Sequence, residues 1–376
     1  MQSLLVDRGK LELKQTDGYL HEFEDVPVFL KQPLIADKRY LDTKITSPVR
    51  VSYAPNDEKL FSPIEDRYVG GVPAIWSGHR SVVVRDPETR QLYRLKGIAF
   101  NEEKPEIKEY SPGALYVDGG QFLRYAVNEK IFSDRFNHTL RNNGMEPVME
   151  VIGLYEYPKR VGRQKIAATI SRIKGDTRLD ELFCMFELLY AMNKIHENND
   201  EDLKKAIEHF YMISGFISGA HKKMMTDNKQ TWSADPNITN AHFGNIVVYR
   251  SEYARSLDIG FVDFDSSCKP SEVDYEKQIK AELNSMAEKA KEKECSMRLT
   301  HHFKTTEIEN LRNIFIAGFG ISYYKASLLK NADKVISNTF FLGYNYYIKL
   351  VTTMTDFINK VHENDTECKL QTAPKK

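Results

Sequence analysis

The feature that most constrains this chain is a change of hydrophobic period near Gly175. Up to about Ile170, apolar residues come in short β-favouring runs: RSVVVRD at 80–86, QLYRLKG at 91–97, EVIGLYEY at 150–157 and KIAATISRI at 165–173. Asp86-Pro87, Ser111-Pro112-Gly113 and Gly119-Gly120 mark turns between them. One helical stretch interrupts the strands, with Phe122, Ala126, Ile131, Phe132 and Phe136 expected on or near one face. After Gly175, LDELFCMFELLYAMNKI and LKKAIEHFYMISGFISGAHKKM carry the apolar spacing of long helices. Two short strands follow, NIVVY at 245–249 and IGFVDFD at 259–265, and from about Ser271 the pattern is helical again. The chain reads as an α+β protein. It divides into a strand-rich part at 1–172, a part at 173–270 with the long helices and the DFD segment, and a helical extension at 271–376.

Composition narrows the function classes. The 376 residues carry 53 basic and 53 acidic side chains, so general binding to nucleic acid or another polyanion is disfavoured, while a local basic cleft stays open. The four cysteines, Cys184, Cys268, Cys295 and Cys368, form no CxxC pair, which argues against a zinc site and a disulfide framework and fits a reducing compartment. The opening MQSLLVDRGKLELK reaches charge too soon for a signal peptide. No stretch approaches the roughly 20 apolar residues of a membrane helix. A cytoplasmic protein without a membrane partner is expected.

The strongest chemical signal is a pair of segments. Ala241-His242-Phe243-Gly244-Asn245-Ile246 is followed, after a loop, by Gly260-Phe261-Val262-Asp263-Phe264-Asp265. Two strands that each present an oxygen ligand at one end, here Asn245 and Asp263, can hold a magnesium ion, which takes few protein oxygens and completes its shell from water and phosphate. The plainer reading is a β-hairpin with ordinary turn residues. Lys96 ends an apolar strand, where its ammonium can reach nucleotide phosphates, and Glu129 in the following helix is a carboxylate able to hold it; singly, each is more often a surface charge. Gly70 and Gly71 form a turn whose backbone N–H groups can face phosphates. The segment from Ile170 to Leu182 is a candidate hinge that can pair with a purine, although Asp176 or Thr177 equally suits a helix N-cap.

Together these pieces resemble the kinase-like superfamily, in particular the aminoglycoside-phosphotransferase-type kinases and the selenoprotein O family of protein adenylyltransferases. The resemblance spans roughly Tyr68 to Asp265 and implies a two-lobed protein kinase-like fold that uses ATP and magnesium. The GAH at 219–221, closing an apolar helix, HxGNI at 242–246 and VDFD at 262–265 look like the small-molecule kinases. RLKG at 94–97 and DGGQFLRYAVNEKIFSD at 118–134 look like selenoprotein O. That match implies that Lys96 pairs with Glu129 and that Arg124 lies beside the phosphates. Arg172 and Arg178 resemble two further phosphate-binding arginines, with a spacing one residue short. The main departure is Asn240, which stands where the small-molecule kinases have their catalytic Asp. An amide accepts no proton from an attacking hydroxyl, and general-base help is worth about 10²–10⁴-fold. Selenoprotein O enzymes also lack this Asp and transfer AMP.

Three readings follow. The first is AMP transfer to a protein hydroxyl. The second is phosphoryl transfer to a protein or small molecule with another base, such as Asp235 or Asp265. The third is a non-catalytic nucleotide-binding scaffold.

Overall fold

The computed structural model describes residues 10–36, 72–77, 80–111, 114–175, 177–180, 182–183, 186–187, 201–233, 241–250, 257–268, 272–291 and 305–324. Its strands are β1 (Lys10–Gln15), β2 (Tyr19–Glu22), β3 (Leu34–Ala36), β4 (Val72–Trp76), β5 (Ser81–Arg85), β6 (Leu92–Lys96), β7 (Ile107–Ser111), β8 (Ala114–Val117) and β9 (Gln121–Phe122). The long helix α1 (Leu123–Asn142) follows, then β10 (Met149–Val161), β11 (Gln164–Ile173) and β12 (Thr177–Arg178). The later part contains α2 (Glu201–Asp227), β13 (Ile246–Arg250), β14 (Leu257–Phe261), α3 (Glu272–Lys291) and α4 (Thr305–Tyr324). This is a mixed helix and strand architecture, as the sequence pattern requires.

Nine strands form one antiparallel sheet in the order β2-β10-β11-β6-β5-β4-β1-β3, with β9 joined to β11. The central strands are buried on both faces, so they read as continuous apolar runs rather than as alternation. Period-2 geometry still sorts their side chains. Val82, Val84, Tyr93, Leu95, Ala168 and Ile170 join one core cluster. Val83, Leu92 and Ile173 join the other, which runs on through α1 into α2, α4 and the β13–β14 pair. That second core is shared by residues on both sides of position 173.

Helix α1 buries Ala126, Glu129, Ser133, Phe136, Asn137 and Leu140, a stripe at three- and four-residue spacing. Ile131, expected on the buried face, is 53% exposed. A polar residue, Glu129, occupies the middle of the stripe in phase with Phe122 and Phe136, whereas Ile131 falls about 180° around the helix from Phe122. The helix ends at Asn143-Gly144, where Gly144 takes a φ of 72° that favours glycine.

The GAH at 219–221 does not close α2, which continues to Asp227. A Cβ on Gly219 would meet the Phe319 carbonyl and the Ser322 hydroxyl of α4, and one on Gly215 would meet the Phe315 carbonyl. These glycines are sites of close helix approach and not a stop signal. Among the described residues no helix is long and apolar enough to cross a membrane.

Candidate functional site

β6, an interior strand of the sheet, carries Lys96. Lys96 pairs with Ser81 of β5 and Thr169 of β11, so its ammonium emerges from the middle of the sheet. The Nζ atom lies 3.1 Å from Glu129 Oε2 and 3.1 Å from Asp265 Oδ2, and it also contacts the Asp263 carboxylate directly. Three chain segments thus meet at one buried cation.

Glu129 is held in turn by Gln121 Nε2 at 3.1 Å and by the Thr169 hydroxyl at 3.4 Å. Asp265 accepts from Arg80 Nη2 at 2.7 Å and from Gln121 Nε2 at 3.4 Å. Sequence reasoning did not assign Arg80 and Gln121 to the site. Both stand within segments it did single out, Arg80 opening RSVVVRD at 80–86 and Gln121 inside DGGQFLRYAVNEKIFSD at 118–134.

The electrostatics of the cluster are mutually determined. Burial pushes the Lys96 ammonium down, but the charges of Asp263, Asp265 and Glu129 outweigh it and hold Lys96 above its ordinary value, with Arg80 opposing them. Burial would likewise raise the Asp263 carboxyl. The charges of Lys96, Arg80 and Arg94 and the hydrogen bond from Lys96 hold it well below the usual carboxylate range. Asp263 is therefore ionised at neutral pH.

The β13–β14 register sets Ile246 opposite Phe261. Asn245 and Asp263 consequently leave the same end of the strand pair, tied by the Val262 N–H donating to the Asn245 carbonyl at 3.0 Å. Asn245 Nδ2 lies 3.1 Å from His242 Nε2, which makes the nitrogen of that amide the donor in this pair. An ionised carboxylate plus an amide oxygen is a hard-oxygen donor set that fits magnesium. Asp263 has a φ of 69°, unusual for a residue with a side chain.

The other residues of sequence interest are distributed more widely. Arg178 comes to the loop before β13, with Nη1 donating to the Gly244 carbonyl at 2.9 Å. A Cβ on Gly244 would come within 3.1 Å of the His242 ring and 3.2 Å of Asp180 Oδ2. Arg172 is not brought to Lys96. It alternates with Thr169, Ser171 and Ile173 along β11, lies on the opposite face of the sheet, and pairs with Glu150 at 3.2 Å and Glu24 at 3.6 Å. Arg124 is exposed and stacks over the Tyr125 ring at 4.6 Å. Gly70, Gly71, Asn240, Asp235 and Asp176 lie outside the described residues.

No family model matches the chain. No curated protein matches it either. Among solved structures, the chain is similar to one described as "WaaP in complex with acyl carrier protein", at 10% identity over 80% of this chain and 100% of that one, with a TM-score of 0.34. A likeness at that TM-score does not establish a common fold. The case for function therefore stands on the site itself.

Proposed function

We propose that the chain is a kinase-like, ATP- and magnesium-dependent transferase that moves the γ-phosphoryl group to a hydroxyl acceptor. The observation that carries this reading is the meeting of Lys96 with Glu129 and Asp263, from a strand, a helix and the end of a second strand pair. In kinases a strand lysine held by a helix glutamate and a metal-binding aspartate perform phosphate positioning, and phosphoryl transfer depends mainly on such positioning and charge stabilisation. Lys96 would bind phosphate oxygens, and Glu129 would keep the ammonium oriented. Asn245 and Asp263 would hold magnesium, which when bound neutralises phosphate charge. The acceptor oxygen forms its bond to phosphorus as the β,γ-bridging bond breaks, ADP departs, and the hydroxyl proton passes to solvent.

AMP transfer is the second reading, favoured by Asn240 in the position of the base. Two of the arginines that the selenoprotein O resemblance assigns to phosphate do not support it: Arg172 sits on the far face of the sheet and Arg124 over Tyr125. The test is incubation with magnesium and ATP labelled at either the α or the γ position, with a cell extract as the source of acceptors, in wild type and Asn240→Asp. Label from γ only, increased by Asn240→Asp, is the expected result. Label from α would overturn phosphoryl transfer in favour of AMP transfer. No thermal stabilisation by ATP with magnesium present would overturn the nucleotide reading altogether, since a ligand at 100 times its Kd stabilises by about 2.7 kcal/mol.

A further inference from the structure

Trp232, in the loop after α2, takes no part in the reading above, yet it reaches the peptide that sets Asp263. Its side chain is fully buried, and its ring stacks on Phe261 with centroids 4.2 Å apart and planes at 16°. The indole N–H donates to the Val262 carbonyl at 3.0 Å, while the Val262 N–H donates to the Asn245 carbonyl at 3.0 Å. Both backbone polar groups of Val262 are thereby held. The Val262 carbonyl belongs to the peptide plane from which the φ of Asp263 is measured, so fixing that plane fixes one side of the torsion. At 69° this torsion lies in the left-handed region, which aspartate adopts more readily than most side-chain-bearing residues and which restraints from its neighbours further favour.

Trp232 is itself anchored from the C-terminal helices. Its backbone N–H and that of Ser233 donate to one oxygen of Glu282 in α3, at 2.7 and 2.8 Å. The other Glu282 oxygen pairs with Lys222 of α2, both side chains being fully buried. The Ser267 hydroxyl donates to the Trp232 carbonyl at 3.2 Å, closing the loop onto the segment just past Asp265. A buried ion pair removed from solvent is a weak source of net stability, but it fixes a geometry firmly. Direct contacts therefore run from α2 and α3 through Trp232 to the peptide preceding Asp263.

We propose, resting on the assignment of Asp263 as the metal-binding carboxylate, that Trp232 is a positioning residue whose indole N–H holds Asp263 in its left-handed conformation, with Glu282 setting Trp232.

Benzothienylalanine at position 232 removes the N–H while matching the shape of the indole, and Trp232→Phe, which also deletes one ring and opens a cavity, reports the cost of lost packing. Hydrogen exchange needs no nucleotide. The amides of 262–264 should exchange roughly fivefold to tenfold faster, the value of about one hydrogen bond, with α2 unchanged. Magnesium titration against a non-hydrolysable ATP analogue should show a similar loss of apparent metal affinity with unchanged saturation. Unchanged exchange at 262–264, or acceleration spread equally through α2, would overturn the proposal. So would faster local exchange with unaltered magnesium affinity. If the wild type binds no magnesium and analogue, the assignment of Asp263 falls, while the exchange result still decides whether Trp232 holds its conformation.

Discussion

Removing Lys96 should reverse the sign of a substitution at Glu129. In the folded chain one buried ammonium faces Glu129, Asp263 and Asp265, while Arg80 pairs with Asp265 and its charge also acts on Asp263. Lys96→Met leaves these carboxylates crowded and under-compensated, and breaking a buried pair in this way costs about 3–5 kcal/mol. Glu129→Gln in the wild type keeps the shape and an acceptor for Thr169, and Lys96 keeps two carboxylates; a smaller loss of about 1–2 kcal/mol is expected. With Lys96 already replaced, the same Glu129→Gln change removes one of three repelling charges and should stabilise. The coupling in the double-mutant cycle is then on the order of 2–3 kcal/mol, within the range for residues in one network. Urea unfolding of the four proteins at pH 7, followed by circular dichroism, measures it. Equal destabilisation by Glu129→Gln in both backgrounds would refute the reasoning, because it would mean that Lys96 and Glu129 do not share a charge environment.

Two predictions concern the core behind the site. His221 is 2% exposed between Phe136 and Phe261, and burial lowers its pKa to about 4. The unfolded chain binds this proton first, so stability should fall as pH drops from 6.5 towards 4, by roughly 3 kcal/mol below both values, and His221→Leu should remove that part of the acid slope in pH-resolved unfolding. Gly219→Ala should destabilise despite a helix-propensity gain of about 1 kcal/mol, because its Cβ would meet α4 backbone; overpacking of about 1–3 kcal/mol outweighs the gain, and calorimetry showing a rise in melting temperature would contradict the close approach of α2 and α4.

What the sequence disclosed and what it hid divide along the range of the interactions. The central strands, α1 and the two motif segments follow from local period and turn chemistry, and Lys96, Glu129, Asn245 and Asp263 were legible because each ends or centres such an element. Arg80 and Gln121 were not, since their partner Asp265 lies 185 and 144 residues away in the chain. Ile131 differs for a local reason: nine residues from Phe122 is about 180° around a helix, so the period itself puts it opposite the buried face. Gly219 was read as a terminator because a glycine signals either a stop or a close approach, and only the position of α4 distinguishes them.

The same charge arrangement bears on how nucleotide and metal must arrive. Arg80, Arg94 and Lys96 act on the carboxylates of Glu129, Asp263 and Asp265, so charge in the cluster is balanced before any phosphate enters. A polyphosphate seeking Lys96 competes with Asp263 for the same ammonium. Its approach without a divalent cation would leave that carboxylate with less compensation in a buried setting, which is unfavourable. Magnesium held by Asp263 and Asn245 would supply the missing counter-charge and release Lys96 towards the phosphates. Metal and nucleotide should therefore each raise the affinity for the other by the same factor. On this account the Lys96–Asp263 contact is a placeholder within the site, and the restraint on Val262 keeps Asp263 in position when Lys96 turns from it to phosphate.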